Sequence, residues 1–293
     1  MADRTSTITA ALAGTIDIGG DLAVNRFGFG AMRITGEGIW GEPADREECK
    51  RVLRRALELG INFIDTADSY GPEVSERLIA EALFPYPEDL VIATKGGLNR
   101  PGPGAWEPDG RPEHLRAACE GSLKRLRIEQ IDVYQFHRPD PKVPFEESVG
   151  ALVQLKNEGK IRHIGLSNVT VEQVERAQEL TPIVSVQNRY SVFERTSEPV
   201  LDFCSLEQIA FLPWRPVEGG SLADGAVAEI ARRNNARPSQ VALAWLLAHS
   251  PVMLPIPGTS KVAHLEENLG AVALELAPSD LAGLDKIAPE PRS

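Results

Sequence analysis

Four side chains capable of proton chemistry stand at the ends of short apolar stretches of the sequence. Asp65 closes the stretch "NFI", and Tyr70 follows it five positions later in "DTADSYG". Lys95 closes the next stretch in "ATKGG", and His137 closes a further one in "YQFHRPD". A carboxylate, a phenol, an ammonium and an imidazole shift one another's pKa when they lie close together. The set therefore indicates a proton-transfer site, provided that the fold brings these ends together.

The chemistry that fits this set is proton donation to a carbonyl oxygen. A tyrosine has an ordinary pKa near 10, so it is a poor acid at neutral pH. We expect Lys95 to stabilise the phenolate and lower the pKa of Tyr70, with Asp65 pairing with Lys95 to hold it in place. His137 would hydrogen-bond the substrate oxygen and align it, and each effect is worth roughly 2–4 kcal/mol of the barrier. The sequence has no metal-ligand cluster, so we predict no metal site.

Taken alone, each of these residues has an ordinary explanation, such as a solvated lysine or a histidine with one loop hydrogen bond. The arrangement of the elements decides whether they meet. Apolar stretches alternate with amphipathic patterns such as "DREECKRVLRRALELG" and "FEESVGALVQLKNEG", which is typical of βαβ units and a parallel sheet. The predicted strands are 26–31, 61–64, 90–93, 131–136, 161–166, 183–186, 209–212 and 252–256.

Eight strands, each followed by a helix, predict a (β/α)₈ TIM barrel that forms a single domain over residues 1–293. A barrel carries its site at the C-terminal ends of the strands, where the four side chains would meet. A Rossmann sheet is the competing architecture, but "GFGAMR" has Arg33 in place of the third glycine of its fingerprint. The Gly/Pro-rich connection 99–112 is long enough to be functional and is expected on the same face.

Composition and charge exclude several kinds of partner. The net charge of -11 and the pI of about 5.1 argue against nucleic acid or an anionic membrane. The three cysteines, Cys49, Cys119 and Cys204, are widely spaced and indicate buried packing residues in a reducing compartment. The N-terminal segment is a poor signal peptide, and no apolar run approaches the roughly 20 residues of a membrane span. We expect a cytoplasmic protein, either monomeric or a weak homo-oligomer.

The sequence resembles the aldo-keto reductase superfamily in a series of motifs with the family's order and spacing. These are "FIDTADSYG", "TKGG", "FHRPD", "IGLSNV", "VQNRYS" and "IPGTSKVAHLEENL". The resemblance implies a (β/α)₈ barrel that binds NADPH in an extended conformation without a Rossmann domain. It also implies that Tyr70 is the general acid, that Lys95 and Asp65 tune it, and that His137 orients the substrate.

The resemblance further implies a set of residues that bind NADPH or NADP⁺. Ser167, Asn168 and Gln187 would hold the nicotinamide amide, and Trp214 would stack on its ring in place of the family's usual tyrosine. The turn "PGTSKVAHLEEN" would bind the 2′-phosphate, and amides and hydroxyls at a helix start suit an anion. The cofactor residues that we predict are Gly30, Ala31, Met32, Asp65, Ser167, Asn168, Gln187, Trp214, Pro257, Gly258, Thr259, Ser260, Lys261, His264, Glu267 and Asn268.

Two departures from the family pattern fall in this turn, where Gly258 replaces a frequent lysine and His264 a frequent arginine. Within the superfamily the sequence is similar to bacterial pyridoxal reductases, which implies reduction of a small planar aldehyde such as pyridoxal to pyridoxine. Trp40, Trp106 and Arg138, with Trp214, are the residues predicted to contact this small-molecule carbonyl substrate.

Two other functions remain open at the level of sequence. One is an interaction protein, non-catalytic or weakly catalytic, since β-subunits of potassium channels resemble this fold and its four site residues. The other is a barrel lyase that forms a Schiff base on Lys95. The lyase leaves the residues at the ends of the fifth to seventh strands without a role.

Overall fold

The fold is built on a parallel sheet that carries helices between its strands. The computed structural model describes residues 8–217, 222 and 225–287, so residues 1–7 of the N-terminal segment lie outside the described part. The strands are β1 Thr15–Ile18, β2 Leu22–Asn25, β3 Phe29–Gly30, β4 Phe63–Asp65, β5 Val91–Gly96, β6 Leu98–Asn99, β7 Glu107–Pro108, β8 Ile131–Phe136, β9 Ile161–Ser167, β10 Ile183–Gln187 and β11 Ala210–Phe211. Seven of them form the sheet in the order β11-β10-β9-β8-β5-β4-β3, with every pair parallel.

Helices connect these strands, as the alternating pattern predicts. The helices of the described residues are α1 Arg46–Glu58, α2 Val74–Leu83, α3 Pro112–Leu126, α4 Phe145–Asn157, α5 Val171–Gln178, α6 Glu198–Glu207, α7 Gly225–Arg233, α8 Pro238–His249, α9 Val262–Leu269 and α10 Pro278–Asp285. In α1 the predicted apolar face, including Val52 and Leu53, is buried. All three cysteines are buried free thiols, as predicted. Within the described ranges no helix has the length and apolar content needed to cross a membrane.

The predicted eighth strand is not a regular strand, although its backbone joins both edges of the sheet. On one side Phe211 donates to the carbonyl of Val252 at 2.9 Å. On the other side Gly28 donates to the carbonyl of Pro255 at 3.0 Å and Gly30 to that of Pro257 at 3.4 Å. Because Pro255 and Pro257 have no amide hydrogen, this segment can accept more ladder hydrogen bonds than it can donate. We call the contact between β3 and residues 252–258 the seam.

The interior of the curled sheet is apolar at one end and polar at the other. Successive side chains of a strand alternate between faces, so residues two apart point the same way. Val91 and Ala93 of β5 belong to the interior apolar cluster, and the next residue in phase is Lys95. Phe63 of β4 is followed in the same phase by Asp65. The apolar interior therefore gives way to ionisable groups at the C-terminal ends of the strands.

A hairpin that the sequence patterns do not predict fills the other end of the interior. Strands β1 and β2 pair antiparallel, and their residues Ile18, Leu22 and Val24 join the interior apolar cluster. A second small hairpin, β6 with β7, lies within the long connection 99–112 and its preceding residue. Both hairpins are made of very short strands, which give little periodic signal.

The seam generates a prediction for stability. A Cβ at Gly258 would lie 2.4 Å from the carbonyl oxygen of Gly30, whereas a Cβ at Gly150 in α4 meets nothing within 4 Å. Gly258→Ala must push two backbones apart, so we expect it to destabilise the fold by about 1–3 kcal/mol. Gly150→Ala is the matched control and should stabilise the fold by about 0.5–1 kcal/mol. The free energy of unfolding of both variants is measured in urea. Equal values for the two would contradict the close backbone contact at the seam.

Candidate active site

Lys95 is the centre of the site, and its side chain is fully buried. Its ammonium donates to Oδ2 of Asp65 at 2.7 Å, to the carbonyl of Thr66 at 2.8 Å and to the hydroxyl of Tyr70 at 3.2 Å. Asp65 and Tyr70 are buried as well. An ammonium has three donors, and here all three are used. The predicted contact among the three side chains therefore exists in the structure.

Two buried glutamines complete the environment of Asp65. Gln135 and Gln187 each donate a side-chain N–H to Oδ1 of Asp65, at 2.9 and 2.8 Å. Gln187 is in the predicted set, but Gln135 is not. A signal for Gln135 exists, since it lies two residues before His137 on β8 and so faces the same way. A buried side-chain amide indicates a polar partner inside the sheet.

His137 lies beside Tyr70 at the rim, with the two rings edge to face and their centroids 5.9 Å apart. Its Nδ1 lies 3.3 Å from the hydroxyl oxygen of Ser69, a residue that the sequence patterns do not predict. Burial lowers the pKa of His137 well below 6.5, and the positive charges of Lys95 and Arg138 lower it further. The imidazole is therefore neutral at physiological pH.

The pKa of Tyr70 corrects one expectation from the sequence. Burial raises the pKa of Tyr70, and Lys95 opposes this effect without reversing it, so the net shift is upward and not downward. For Lys95, burial alone would lower the pKa, but Asp65 and Tyr70 together raise it above the ordinary value. Both groups therefore keep their protons at neutral pH. A protonated phenol can donate a proton, and a protonated lysine cannot act as a nucleophile.

Asp68 is a further ionisable group near Tyr70 that the sequence patterns do not predict. Its Oδ1 has no hydrogen-bond partner among the described residues. Burial, with the nearby charge of Glu76, raises the pKa of Asp68 to about 8. Once ionised, Asp68 adds negative charge that raises the pKa of Tyr70 further.

Ser167, Asn168 and Trp214 form a hydrogen-bonded group at the rim, next to His137. The indole nitrogen of Trp214 donates to Oδ1 of Asn168 at 3.2 Å. The amide nitrogen of Asn168 donates to the hydroxyl of Ser167 at 2.9 Å and to the carbonyl of His137 at 3.1 Å. Asn168 has a positive φ of 59°, a conformation that asparagine tolerates better than most residues. This group fixes the indole relative to His137.

Two cavities open at the rim, and they meet at Tyr70. A cavity of about 330 Å³ is lined by Met32, Ile39, Tyr70, Leu98, Trp106, His137, Arg138, Ser167, Asn168, Gln187, Trp214 and Arg215. A smaller one of about 160 Å³ is lined by Gly30, Met32, Arg33, Asp65, Tyr70, Gln187, Trp214, Arg215, Pro216, Val217, Ile256 and Gly258. The cavities share Tyr70, Gln187 and Trp214 among their walls. Two small molecules could therefore touch at the phenol.

Other residues of the predicted set lie outside these walls. Ala31 is buried and accepts a hydrogen bond from Ser75 of α2 through its carbonyl. Trp40 is half-buried on its own loop, where its backbone forms a bridge with Gly71. Pro257 accepts from Gly30 in the seam.

The predicted phosphate-binding turn leads directly into α9. Thr259 accepts a hydrogen bond from the amide of Lys261 at 3.1 Å, and Lys261 and His264 are exposed. The first amide of α9, that of Val262, donates to a carboxyl oxygen of Glu48 at 3.0 Å. An acid from α1 therefore lies at the helix start where an anion was predicted.

The rest of this turn and helix is partly engaged in packing. Glu267 accepts from Ser239 at 3.3 Å through its side chain and from Gln240 at 2.7 Å through its carbonyl. Asn268 is buried, and Ser260 is half-buried beside Lys261. Lys261 and His264 therefore stay exposed at the start of α9, where Glu48 also lies.

Comparison with known proteins defines the class. The model of the aldo/keto reductase family matches residues 26–289, so the chain belongs to this family, as the motifs predict. An uncharacterized oxidoreductase of Schizosaccharomyces pombe is 52% identical, over 96% of this chain and 92% of its own length. The pyridoxine 4-dehydrogenase of Escherichia coli is 42% identical, over 92% of this chain and 97% of its own length. The expected class of NAD(P)H-dependent oxidoreductase is thereby confirmed.

The fold agrees with solved structures of the same family. The crystal structure of an aldo-keto reductase from Klebsiella pneumoniae in complex with NADPH is 26% identical, with a TM-score of 0.79. It covers 95% of this chain, and this chain covers 96% of it. Such neighbours indicate a (β/α)₈ barrel, which agrees with the parallel sheet joined at the seam.

The pKa shifts generate a prediction for the pH dependence of reduction. In a reaction that takes its proton from Tyr70, neither Tyr70 nor His137 should limit kcat/KM from about pH 6.5 to about pH 9, because Tyr70 stays protonated and His137 stays neutral. A change of kcat/KM near pH 8 would follow the ionisation of Asp68. Asp68→Asn removes a charge that raises the pKa of Tyr70, so its alkaline decline should begin at lower pH than that of the wild type. Asp89→Asn, at an exposed position, is the control. An unshifted decline in Asp68→Asn would contradict the coupling.

Proposed function

We propose that the protein is an NADPH-dependent reductase that converts aldehyde or ketone carbonyls to alcohols. The observation that carries this proposal is that Tyr70, whose hydroxyl is hydrogen-bonded to Lys95, lines both cavities at the rim. NADPH, when bound, supplies the hydride for the carbonyl carbon. Tyr70 gives its proton to the carbonyl oxygen, so that an alcohol and NADP⁺ are formed.

The other ionisable residues prepare this proton transfer. Lys95 stays protonated and stabilises the phenolate that remains on Tyr70, while Asp65 holds Lys95 in position. His137 is neutral, and Ser69 can donate to its Nδ1, so we assign the imidazole proton to Nε2. That proton can hydrogen-bond the substrate oxygen without adding a charge that would compete with Tyr70 as the acid.

The donor groups around the smaller cavity suit NADPH. Gly30, Met32, Gln187, Trp214 and Gly258 line it, which combines backbone, amide and aromatic surfaces. Ser167 and Asn168 lie beside Trp214 and would hold the nicotinamide amide. Thr259, Ser260, Lys261 and His264 are the residues of the described turn that could hold the 2′-phosphate. The Klebsiella pneumoniae relative crystallised with NADPH supports this choice.

For the substrate we propose a small planar aldehyde, with pyridoxal reduced to pyridoxine as the leading candidate. Trp106, His137 and Trp214 supply flat walls to the larger cavity, and Arg138 lies at its exposed edge. The name of the Escherichia coli relative, pyridoxine 4-dehydrogenase, supports the same substrate. We further propose that the whole chain, residues 1–293, forms one (β/α)₈ domain in the cytoplasm, as a monomer or weak homo-oligomer.

The geometry disfavours the lyase alternative. A Schiff-base lysine must lose its proton to attack a carbonyl carbon. Lys95 makes three hydrogen bonds, and the neighbouring Asp65 raises its pKa. The interaction-protein alternative makes a different prediction, namely that turnover is weak or absent.

Turnover of a carbonyl panel tests the function. We expect NADPH oxidation with pyridoxal at a higher kcat/KM than with simple aliphatic aldehydes. Tyr70→Phe should lose about 10²–10⁴-fold in kcat, the usual contribution of a positioned general acid. It should still bind NADPH in a fluorescence titration. Tyr86→Phe, which removes a hydrogen bond to the carbonyl of Leu126 far from the site, is the matched control.

The outcomes of this panel separate the proposals. Normal turnover in Tyr70→Phe would refute its role as the acid. If ketones turn over and pyridoxal does not, the reductase stands and the substrate is wrong. No turnover with any carbonyl would favour the interaction protein.

Glu48 generates a second prediction, on the choice of cofactor. Its carboxylate lies at the start of α9 and should repel a 2′-phosphate bound there. Glu48→Gln is expected to tighten NADPH binding by about 3- to 10-fold and leave NADH binding unchanged. Lys261→Ala should weaken NADPH binding by about 10-fold or more, because a charged hydrogen bond is lost. The measurement is the Kd of each cofactor.

Glu47→Gln is the matched control for Glu48→Gln. Glu47 lies in the same turn of α1 and is more exposed, where it pairs with Lys50. If Glu48→Gln and Glu47→Gln have the same Kd for NADPH, Glu48 does not oppose the 2′-phosphate.

A further inference from the structure

The side chain of Arg100 ties together three loops at the rim of the site. Its Nη1 donates to the carbonyl of Ser69 at 2.9 Å, and its Nε donates to the carbonyl of Ala105 at 2.9 Å. Its Nη2 reaches the carbonyl of Gly38 at 3.5 Å. These acceptors belong to the loop after β4, the connection 99–112 and the loop before α1. No motif of the sequence points to Arg100.

The guanidinium also lies near two indoles. Its Cζ is 3.6 Å from the ring centroid of Trp106 and 5.4 Å from that of Trp40. A guanidinium is planar and weakly hydrated, so it can stack on aromatic faces and donate in its own plane at the same time. Arg100 is placed for both, and a lysine would keep the charge but lack the planar fork that combines them.

Trp106 connects Arg100 to Tyr70 and His137. Its ring packs edge to face on Tyr70 and on His137, with centroid distances of 6.4 Å in both cases. Trp106 also lines the larger cavity. Trp106 is half-buried on a long connection, so its position depends on the residues that pack against it. Arg100 stacks on its ring.

The charge of Arg100 has no carboxylate partner among the described residues. Within the described part of the chain, its hydrogen bonds go to the neutral carbonyl oxygens of Ala105, Ser69 and Gly38. Lys95, Arg138 and Arg100 face His137 as positive charges, and together with burial they lower its pKa. Tyr70, Trp106 and Ser69 are uncharged groups that also lie against that imidazole. Arg100 therefore acts on the site both through Trp106 and through its charge.

We propose that Arg100 is a positioning and specificity-determining residue that holds Trp106 as a wall beside Tyr70 and His137. The space between this wall and Trp214 then selects flat aromatic aldehydes over short aliphatic ones. The selectivity rests on the proposed reductase function, whereas the fixing of Trp106 does not. The two parts can therefore be tested separately.

The first test measures the ring of Trp106 without any turnover. The protein is labelled with 5-fluorotryptophan, which gives one ¹⁹F signal for each of its four tryptophans, and Trp106→Phe assigns the relevant one. In Arg100→Lys we expect the Trp106 signal to shift and broaden while the Trp245 signal stays unchanged. Arg127→Lys is the matched control, because Arg127 stacks on Phe84 away from the site. An unchanged Trp106 signal in Arg100→Lys would overturn the proposal.

The second test measures selectivity with benzaldehyde and propanal as probes. In Arg100→Lys the kcat/KM for benzaldehyde should fall about 10- to 30-fold, the size expected for a lost stacking contact. The kcat/KM for propanal should change by less than about 3-fold. Arg127→Lys should leave both values unchanged. An equal fall for both aldehydes would mean that Arg100 only supports the fold, and would overturn its role in specificity.

The pH profile separates stacking from charge. Arg100→Met removes the charge near His137, so any acidic decline of kcat/KM should move to higher pH than in Arg100→Lys. An identical profile for the two variants would overturn the electrostatic part of the proposal. If the wild type reduces neither aldehyde, the reductase proposal fails while the ¹⁹F result still decides whether Arg100 fixes Trp106.

Discussion

A buried ammonium must have an anion beside it, and this constraint organises the site. Lys95 has no exposed surface, and removing one partner of a buried ion pair costs about 3–5 kcal/mol. Asp65 supplies the anion, and its other oxygen is occupied by the amides of Gln135 and Gln187. Four strands, β4, β5, β8 and β10, thus contribute one group each to a single network. The third N–H of Lys95 donates to the hydroxyl of Tyr70, and this hydrogen bond fixes the position of that hydroxyl.

Burial shifts the pKa values of Tyr70 and His137, the two neighbouring rings at the rim, in opposite directions. It favours the neutral form of each, which is the protonated form of Tyr70 and the deprotonated form of His137. The result is one protonated phenol and one neutral imidazole in adjacent positions. These protonation states do not require a charged partner for either ring, because desolvation alone shifts the two pKa values in these directions.

The sequence predicts most of the strands because an apolar stretch that ends in a polar residue carries its own signal. It predicts Asp65, Tyr70, Lys95 and His137 as neighbours because parallel strand ends converge. It does not predict the irregular seam, since the loss of two amides at Pro255 and Pro257 changes the hydrogen bonding without changing the apolar pattern. The effect of these two prolines appears only when the segment pairs with the neighbouring strands.

Other features depend on distance and depth, which a sequence does not contain. The lowered pKa expected for Tyr70 is wrong because its burial outweighs the charge of Lys95. Arg100 lies in a Gly/Pro-rich connection, where no periodicity distinguishes a rim contact from a solvated charge. Glu48 is distant from α9 in the chain, so its contact with Val262 arises only from the packing of α1 on α9. The roles of the cofactor and substrate residues stay predictions.

The seam also restricts how the barrel can evolve. A Cβ at Gly258 meets the carbonyl oxygen of Gly30 at 2.4 Å, and a Cβ at Gly30 meets that of Ile256 at 2.5 Å. The facing backbone therefore leaves no room for a side chain at either glycine, and a substitution at either position requires that backbone to move. Directed evolution toward tighter phosphate binding cannot add a side chain at position 258 without displacing this backbone. The open mutational routes start instead at side chains that already face solvent, such as Lys261 and His264.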